Sequence, residues 1–249
     1  PYLPTKQPAE LLTIANHILG TGQLSLAKFL FITADDTQQL STHHIQEFFK
    51  YVFERIDLTR DIHFHTNTTI DTLDYSGTGL NTGSKVVFAA YGEVLRTLAT
   101  EIPSVFHDLN GFSKATLAMP GVICLQADAF VDAEKTALQI EQLNAQLAHH
   151  LPALKGVVQI VLCDDASFTG EKLGNYLWVT YTRSNPSHDI YGIASFTRNK
   201  HWGCEGPMVV DARIKPHHAP PVVKDLATEK RVDRLFSKGG SLYGITGHC

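Results

Sequence analysis

The sequence predicts an α/β protein, a layered sheet-and-helix architecture with mixed sheets that contains two tandem copies of a β-α-β unit. Two observations predict this class. Short apolar runs of strand length alternate with longer stretches in which apolar residues recur at helical spacing. Most of the stretch from 28 to 85 is also repeated farther along the chain, between 157 and 215. We therefore expect a first unit in residues 1–105 and a second, duplicated unit with a C-terminal tail in residues 106–249.

The repeat keeps an almost constant separation through residues of several kinds. Each copy has a strand that ends in two aspartates, a helical face that ends in an arginine, and an aspartate six residues later. The copies lie 128 to 130 positions apart in four matched pairs: Asp36 and Asp165, Arg55 and Arg183, Asp61 and Asp189, and Lys85 and Lys215. Any α/β protein alternates strands and helices, but a shared separation through all these features indicates a tandem duplication.

Composition describes a globular protein with a hydrophobic core. Of the 249 residues, 43% are hydrophobic and 18% are charged, which is ordinary for one large domain or two small ones. The net charge of −4 gives no electrostatic basis for binding nucleic acid. No apolar run approaches the ~18–20 residues that cross a bilayer. We therefore expect neither a nucleic-acid partner nor a membrane span.

The cysteines and the first residue bear on the compartment and on the origin of the chain. The cysteines are far apart and form no CxxC pair: Cys124, Cys163, Cys204 and Cys249. We expect reduced thiols in a cytoplasmic protein rather than a zinc site. The chain starts at Pro1 and not at methionine, which suggests a processed product or a piece of a longer polypeptide.

The first predicted elements are a helix and the strand that opens the repeat. Residues 8–19 place apolar side chains on one helical face, with Pro8 suited to the first turn and Gly20 just past the end. The turn at 20–23 leads into a strand at 28–33, whose unbroken apolar run is typical of a strand covered on both faces. Because the Gly-x-Gly of this turn precedes a strand and follows a helix, a Rossmann fold is not expected.

The next elements complete the first copy. Apolar residues at helical spacing from 45 to 56 predict the helix that packs on the sheet. One strand is predicted to begin at Asp61 and another at Val86, after a glycine-rich loop that includes Lys85. This loop is not a P-loop, because four residues must separate the first glycine from Gly-Lys in that motif. A lysine in such a loop is usually a solvated charge, which is the prediction for Lys85, and a contact with a ligand phosphate is the alternative.

The remaining chain connects the copies and then repeats the order of strand, helix and strand. The helix of the second copy, from 173 to 181, keeps its apolar residues in register with that of the first. Other predicted helices cover 93–99, 131–150 and 226–236, and predicted strands cover 122–125, 157–163 and 208–211.

Acidic pairs follow both repeated strands, as Asp35-Asp36 and Asp164-Asp165. In an open α/β sheet the carboxyl ends of strands are where ligands bind, and carboxylates there can hold a metal or act as a base. Aspartate also starts turns and caps helices. Because both copies keep the pair while only one site is expected, the structural interpretation is favoured.

An arginine ends each repeated helix, and an aspartate follows six residues later: Arg55 with Asp61, and Arg183 with Asp189. An arginine at a helix C-terminus interacts with the free carbonyl groups and the helix dipole. A guanidinium group can also bind a carboxylate through two hydrogen bonds. We interpret the repeated pair as a structural joint that holds helix to strand.

Other polar residues give little support for catalysis. His63 and His65 alternate on a predicted strand, but no histidine occurs in a zinc-ligand spacing such as HExxH, and a metal site is not favoured. Ser76 and Ser241 lie in no Gly-x-Ser-x-Gly motif, so a hydrolase triad has no support. Taken alone, the residues describe a duplicated α/β domain without visible catalytic machinery.

Four stretches of the first copy resemble a known family: Lys28 to Asp36, Glu54 to Asp61, Asp71 to Tyr75, and Gly83 to Lys85. They are similar to the C-terminal region of the UbiD family, the prenylated-FMN-dependent carboxy-lyases that decarboxylate aromatic and α,β-unsaturated acids. The stretch from Gly22 to Lys28 resembles a Gly-Gln-Leu-Ser-Leu-Thr-Lys variant of longer members. Val210 to Pro216 resembles the extra C-terminal unit of those members.

The resemblance implies that the chemistry lies outside this chain. In this family the flavin, its metal and the catalytic arginine and acidic residues belong to an N-terminal half, which would precede Pro1. We therefore expect no cofactor and no metal in this chain, and prenylated FMN with a divalent metal in the parent enzyme. The implied partners are the missing flavin-binding half, further copies in a cytoplasmic homo-oligomer and a small carboxylic acid. Glu205 resembles a Glu-Gly-Pro residue of the catalytic region, but its place in the duplicated unit gives it no catalytic role.

The implied role of this portion is a wall or lid on the substrate side and a subunit interface, inactive on its own. The candidates for the substrate or cofactor side are Gln23, Leu24, Ser25, Leu26, Lys28 and Lys85. The alternative is a stand-alone, non-catalytic module that oligomerises or binds a small ligand. The coding sequence before Pro1 separates the two.

Overall fold

The computed structural model describes residues 8–35, 40–41, 43–220, 223 and 225–245, and it confirms the α/β class. The helices are α1 (Pro8–Leu19), α2 (Ile45–Arg55), α3 (Ala133–Leu147), α4 (Leu151–Leu154), α5 (Ala166–Glu171), α6 (Leu173–Thr182), α7 (Pro186–Asp189) and α8 (Leu226–Phe236). The strands are β1 (Phe29–Ile32), β2 (Ile62–Thr68), β3 (Gly83–Ala89), β4 (Phe112–Met119), β5 (Val122–Ala127), β6 (Gln159–Cys163), β7 (Ile190–Gly192), β8 (Ser195–Arg198), β9 (His201–Cys204) and β10 (Met208–Asp211). Short 3₁₀ turns cover Gly22–Leu26, Ser104–Phe106 and Ala148–His150.

The strands of the described residues form three sheets. The first contains three strands in the order β1-β3-β2, and the second contains five in the order β4-β5-β6-β10-β7. The third is the antiparallel pair β8 and β9. Both larger sheets mix parallel and antiparallel pairs, as the sequence predicts.

The two larger sheets contain the same arrangement of three strands. In the first half of the chain, β3 pairs parallel with β1 and antiparallel with β2. In the second half, β10 pairs parallel with β6 and antiparallel with β7. Ile62 of β2 lies opposite Phe88 of β3. Ile190 of β7, 128 positions after Ile62, likewise lies opposite Val210 of β10. A tandem duplication predicts this shared order.

The helices of the repeat bury their apolar faces in one core. Phe49, Val52 and Phe53 of α2 are buried there, together with Tyr176 and Val179 of α6. Burying a side chain of this size contributes about 1.5–3 kcal/mol. The apolar face predicted for the helix at 45–56 is therefore confirmed as core.

Two further helices each cover one sheet. Leu11 and Ala15 of α1 are buried against β1 and β3, and Leu143 and Leu147 of α3 are buried with residues of β5 and β6. Asp132 begins α3, because its carboxylate accepts the Lys135 N–H at 2.7 Å. The predicted bounds of α1 agree with the structure, whereas α3 is shorter than predicted and continues as a 3₁₀ turn.

The helix predicted at 93–99 does not form. Instead, the N–H groups of Leu95 and Arg96 donate to the carbonyl oxygen of Glu54 at 2.8 and 3.3 Å. The Arg96 guanidinium also donates to the Phe53 carbonyl oxygen at 2.7 Å. These carbonyl groups lie in the last turn of α2, which lacks partners within its own helix. The segment therefore completes α2, and tertiary hydrogen bonds outweigh its helical spacing.

Lys85 and Lys215 occupy different places in the two halves. Lys85 lies within β3, immediately before Val86, which pairs with β1. Lys215 lies beyond Asp211, the last residue of β10. The sequence match of these two lysines is therefore wrong, because one precedes the parallel ladder of its half and the other follows it.

Contacts divide the described residues into a larger compact unit that ends at His218 and a smaller one that begins at Ala219. The smaller unit contains α8, whose cap is Asp225, and the Asp225 carboxylate accepts the Ala227 N–H at 3.0 Å. The boundary between the predicted units 1–105 and 106–249 remains a prediction. Among the helices described, none has the length and apolar character needed to cross a membrane.

Candidate functional site

The predicted wall is a 3₁₀ turn that leads into β1, and we call residues 22–26 the wall turn. Gly22 begins it with φ at 49°, a value that glycine adopts without steric cost. The turn is closed by the Ser25 hydroxyl, which donates to the Gly22 carbonyl oxygen at 2.6 Å. Gln23 is exposed, and Leu24 and Leu26 are 57% and 40% exposed. The wall turn thus presents one amide and two leucines.

The buried side chain of Lys85 binds the wall turn through a hydrogen bond. It belongs to β3, where it lies opposite His65, and only 4% of it is exposed. Its ammonium group donates to the carbonyl oxygen of Ser25. Burial lowers the pKa of Lys85. The prediction of a solvated loop charge is therefore wrong, because strand β3 starts two residues earlier, at Gly83, and draws the side chain inward.

A second buried lysine ties the wall turn to the loop that follows β2. Lys28 is 9% exposed, and its Nζ lies 2.8 Å from Asp74 Oδ2 and 2.5 Å from Ser76 Oγ. The Ser76 hydroxyl in turn donates to Asp74 Oδ1 at 2.6 Å. We call Lys28, Asp74 and Ser76 the Lys28 clamp. It fixes two segments that lie nearly fifty residues apart in sequence.

The pKa shifts of the Lys28 clamp follow from burial and pairing. Burial lowers the pKa of Lys28, and the nearby carboxylate of Asp74 opposes this effect. Burial alone would raise the pKa of Asp74, but the charge and hydrogen bond of Lys28 outweigh it and hold that pKa below its usual value. The carboxylate therefore stays ionised beside the ammonium group, as a buried pair requires.

The charge network continues into the second half of the chain. Lys215 Nζ lies 3.3 Å from Asp189 Oδ1 and 4.0 Å from Asp211 Oδ2. Burial raises the pKa of Asp189, and the charge of Lys215 acts in the opposite direction. Both Asp189 and Lys215 contribute to the field at Lys28. Buried charges from the two halves thus meet near the start of β1.

The repeated aspartates make the same backbone contact in each half. Asp61 Oδ2 accepts the N–H of Asp57 at 2.9 Å, and Asp189 Oδ2 accepts the N–H of Asn185 at 2.7 Å. Each carboxylate therefore braces the turn four residues before it. The difference lies in the cation, which is the half-exposed Arg60 for Asp61 and the buried Lys215 for Asp189.

The repeated arginines do not bind these aspartates. Arg55 stacks on the Tyr51 ring at 3.7 Å and donates to the Tyr51 carbonyl oxygen at 3.2 Å. Arg183 donates instead to Asp164, at 3.3 Å. Arg55 does contact a helix carbonyl group, as predicted. The predicted joint between each arginine and the aspartate six residues later is wrong, because Arg60 and Lys215 are the cations that bind these carboxylates.

The acidic pairs have structural partners. Asp165 caps α5 by accepting the Phe168 N–H at 3.0 Å, and Asp164 accepts the Ile214 N–H at 2.9 Å. Asp35 accepts the Leu40 N–H at 2.9 Å. Asp36 lies outside the described residues. The turn and capping role is thus confirmed for these three, and the described residues contain no group of three or more side chains placed to hold a metal.

His63 is partly buried beside another histidine, and the three described cysteines are buried. The His63 ring lies 5.5 Å from that of His201, and burial, followed by the neighbouring His201, lowers the pKa of His63. Cys124, Cys163 and Cys204 are buried free thiols. Burial raises the pKa of Cys204 to about 12, so this thiol is unreactive at neutral pH.

A cavity of about 200 Å³ lies elsewhere in the larger unit. Its lining includes Arg96, Lys155 and Glu205 and none of the six predicted wall residues. This cavity is therefore separate from the wall turn, whose Gln23, Leu24 and Leu26 are exposed.

Two residues of the site had no assigned role in the sequence. Asp74 and Ser76 fall within and just after the Asp71 to Tyr75 stretch that carries the family resemblance. No local pattern distinguishes Asp74 from Asp71, which lies three residues earlier. The partner of that residue, Lys28, cannot be deduced from local spacing.

Comparison with known proteins defines the class to which the fold and the wall turn belong. Residues 3–90 match the family model UbiD_C, described as the C-terminal domain of 3-octaprenyl-4-hydroxybenzoate carboxy-lyase. Residues 3–90 thus match the C-terminal domain of the UbiD family, and the resemblance inferred from the motifs is confirmed.

Among the relatives, the chain is 31% identical over 229 residues to a Chlamydia pneumoniae protein named as a subunit of 4-hydroxybenzoate decarboxylase, covering 91% of this chain and 36% of that protein. It is 33% identical over 223 residues to an uncharacterized protein of Chlamydia trachomatis, covering 90% and 36%. The chain thus spans little more than a third of the length of the curated relatives it matches. Among solved structures, the vanillic acid decarboxylase of Sedimentibacter hydroxybenzoicus in its open form is similar with a TM-score of 0.34 and 13% identity, over 69% of this chain and 43% of that one.

Proposed function

We propose that this chain is the C-terminal portion of a UbiD-type (de)carboxylase that acts on aromatic or α,β-unsaturated carboxylic acids. The match of residues 3–90 to a carboxy-lyase C-terminal domain carries the proposal. The name of the Chlamydia pneumoniae relative supports an aromatic acid as the substrate, and its naming as one subunit of a decarboxylase supports assembly with other chains. A homo-oligomer in the cytoplasm is the form in which we propose that the enzyme acts.

The described residues do not fit the flavin or its metal. No group of three or more possible metal ligands occurs among them. The glycine-rich loop also packs on itself rather than around a phosphate. A Cβ atom on Gly83 would lie 2.7 Å from Ile70 Cδ1, and one on Gly77 would collide with the Thr82 carbonyl oxygen. We therefore place prenylated FMN and the divalent metal in the part of the enzyme outside this chain.

Within this proposal, the wall turn binds and orients the substrate. Leu24 and Leu26 exclude water from the hydrocarbon part of the acid, and the Gln23 amide offers both a donor and an acceptor to a polar substituent. Lys28 and Lys85 act as holders of the wall turn rather than as ligands of the carboxylate. Their ammonium groups are engaged with Asp74 and with the Ser25 carbonyl oxygen.

The test compares the 249-residue chain with the product of the reading frame that contains it. We expect the frame to continue in phase before Pro1, and the longer product to retain flavin and to release carbon dioxide from an aromatic acid. The isolated chain is expected to purify without flavin. A start codon at this position, or near-stoichiometric FMN in the isolated chain, would instead support a stand-alone module.

A further inference from the structure

The cavity of about 200 Å³ lies within the larger compact unit and is lined by segments of both halves of the chain. Residues of the first half at 57–59 and 95–96 line it, together with residues of the second half from 151–157 and 204–206. An apolar cavity of about 150 Å³ is large enough to bind benzene. The cavity therefore has room for a ligand with one ring or a short branched chain.

Apolar side chains form much of the lining: Leu58, Leu95, Leu151, Leu154, Pro152 and Val157. Three of them, Leu58, Leu154 and Val157, are buried, so they are fixed by the core behind them. Small-molecule sites combine apolar walls with a few polar groups that fix the orientation of the ligand. The cavity therefore suits a ligand whose body is apolar.

Arg96 is the charged lining residue with unused hydrogen-bond donors. Its Nη1 donates to the carbonyl oxygens of Phe53 and Ile56, each at 2.7 Å. Its Nε and Nη2 have no hydrogen-bond partner among the described residues, and neither is a fully buried atom. Burial lowers the pKa of Arg96, and the charges of Asp57 and Asp61 oppose this effect without forming an ion pair with it. A guanidinium group in this situation attracts an anion.

The free edge of Arg96 is the edge with which two other arginines of this protein bind a carboxylate. Arg213 donates from Nε to Asp211 Oδ1 at 2.8 Å and from Nη2 to Asp211 Oδ2 at 2.9 Å. Arg60 binds Asp61 through the same two nitrogens, at 2.6 and 3.0 Å. A planar carboxylate accepts two parallel hydrogen bonds from this edge. The anionic group that matches Arg96 is therefore a carboxylate.

The other charged residues of the lining leave the positive charge in excess. Asp57 Oδ1 accepts the N–H and hydroxyl groups of the residue two positions later, at 2.9 and 2.6 Å. Glu205 pairs with Arg198 at 3.9 Å. Lys155 and Arg96 form no ion pair with any residue that the structure describes. The acidic residues thus have partners of their own, whereas the basic ones lack a counter-ion.

We propose that this cavity binds a small carboxylic acid with an apolar body, and that Arg96 holds the carboxylate through Nε and Nη2. The site is separate from the wall turn. The inference stands on the residues of the cavity alone and does not require that the chain be part of a carboxy-lyase. Because segments of both halves line the cavity, a bound acid contacts both and should raise the thermal stability of the chain.

Isothermal titration calorimetry on the 249-residue chain tests the site with three probes. The isolated chain is used because the longer protein, the product of the whole reading frame, is also proposed to bind an acid at its active site. Benzoate has a ring and a carboxylate, benzamide has the ring without the charge, and acetate has the charge without the ring. We expect benzoate to bind at one site and at least about tenfold more tightly than the other two, since each lacks one of the two contacts.

Substitutions of two exposed leucines test whether benzoate occupies this cavity. Leu95 is 47% exposed and lines the cavity, whereas Leu138 of α3 is 64% exposed and does not. Leu95→Trp places a larger side chain at the cavity and should weaken benzoate binding about tenfold. Leu138→Trp is the matched control and should leave the Kd unchanged.

The role of Arg96 is tested with a variant that keeps its charge. Arg96→Lys removes the planar pair of donors and should weaken benzoate binding about tenfold. Glu205→Gln removes a negative charge from the lining and should strengthen benzoate binding about two- to threefold. Because partial unfolding does not raise affinity, this variant separates recognition of charge from a loss of stability. Thermal unfolding checks that Arg96→Lys stays folded, and if it does not, the result for Glu205→Gln decides.

The inference is overturned if benzoate does not bind, or if benzamide or acetate binds as tightly as benzoate. It is also overturned if neither Leu95→Trp nor Arg96→Lys weakens binding, because benzoate then occupies another surface. Weaker binding to Glu205→Gln contradicts an anion in this cavity. The flavin content of the longer protein tests the proposed function separately, so the failure of one proposal does not decide the other.

Discussion

The two halves of the chain share an arrangement of three strands but use their buried charges differently. In the second half, Arg213 is 1% exposed and its guanidinium donates to Asp211 at 2.8 Å and to Thr136 at 3.1 Å. In that half the ion pair is buried within the protein. In the first half, the buried side chains of Lys28 and Lys85 bind two exposed segments, the loop after β2 and the wall turn. The comparison teaches that one arrangement of three strands can carry buried charges that stabilise a core in one half and that bind exposed segments in the other.

The largest difference should appear on removal of the buried arginine of the second half. Arg213→Met leaves the buried Asp211 carboxylate with only Lys215, 4.0 Å away, and breaking a buried pair costs about 3–5 kcal/mol. Arg55→Met in the first half loses a stacked side chain at a helix end and should cost about 1 kcal/mol. Urea unfolding of both variants measures the two free energies. Equal losses would remove the contrast between the halves.

The Lys28 clamp should come next in size. Asp74→Asn keeps an oxygen that can accept from Lys28 but removes the negative charge beside this buried ammonium group, and the loss should cost about 1–3 kcal/mol. Asp108→Asn, which removes the same charge from an exposed position, is the matched control and should be neutral. The same unfolding experiment checks both. A neutral Asp74→Asn would mean that the clamp does not hold the loop.

The repeated aspartates sharpen the comparison, because the backbone contact is the same in both halves. Asp61→Asn and Asp189→Asn each keep an oxygen that can accept the N–H group but remove the charge. Asp189→Asn should cost the larger free energy, since its cation Lys215 is buried, whereas Arg60 is 54% exposed and its pair is worth about 0–1 kcal/mol. Equal costs would show that the two cations contribute alike.

A pH dependence of stability should arise in the second half. Burial, followed by the charges of Lys215, His217, Arg183 and Lys28, lowers the pKa of His218 from 6.5 to about 4. The unfolded chain therefore binds this proton first, so stability is lost as the pH falls from about 6.5 to about 4. Thermal unfolding of the native chain and of His218→Gln across this range measures the effect. A slope that is unchanged in the variant would exclude His218 as its source.

Regular elements could be predicted because their signals are local. Helical spacing gave the bounds of α1 and α8, and a short apolar run gave β10. The segment at 93–99 was mispredicted because its N–H groups bind the end of α2, a tertiary contact that no local pattern records. Strand β4 was missed because its residues are mostly half-exposed and alternate only weakly. The residues proposed for the wall come from the family resemblance, whereas the role of Asp74 could not be predicted, because its partner Lys28 lies far away in sequence.

We propose that the first half supplies the substrate-side wall of a carboxy-lyase while the second half supports it. Steady-state decarboxylation of an aromatic acid by the longer protein tests this proposal most directly, with Leu24→Ala in the wall turn compared with Leu138→Ala on α3. We predict that Leu24→Ala changes kcat/KM by about tenfold or more, as is usual for apolar contacts in a substrate site, and that Leu138→Ala leaves it unchanged. Equal kcat/KM values for both variants and the native protein would contradict the account.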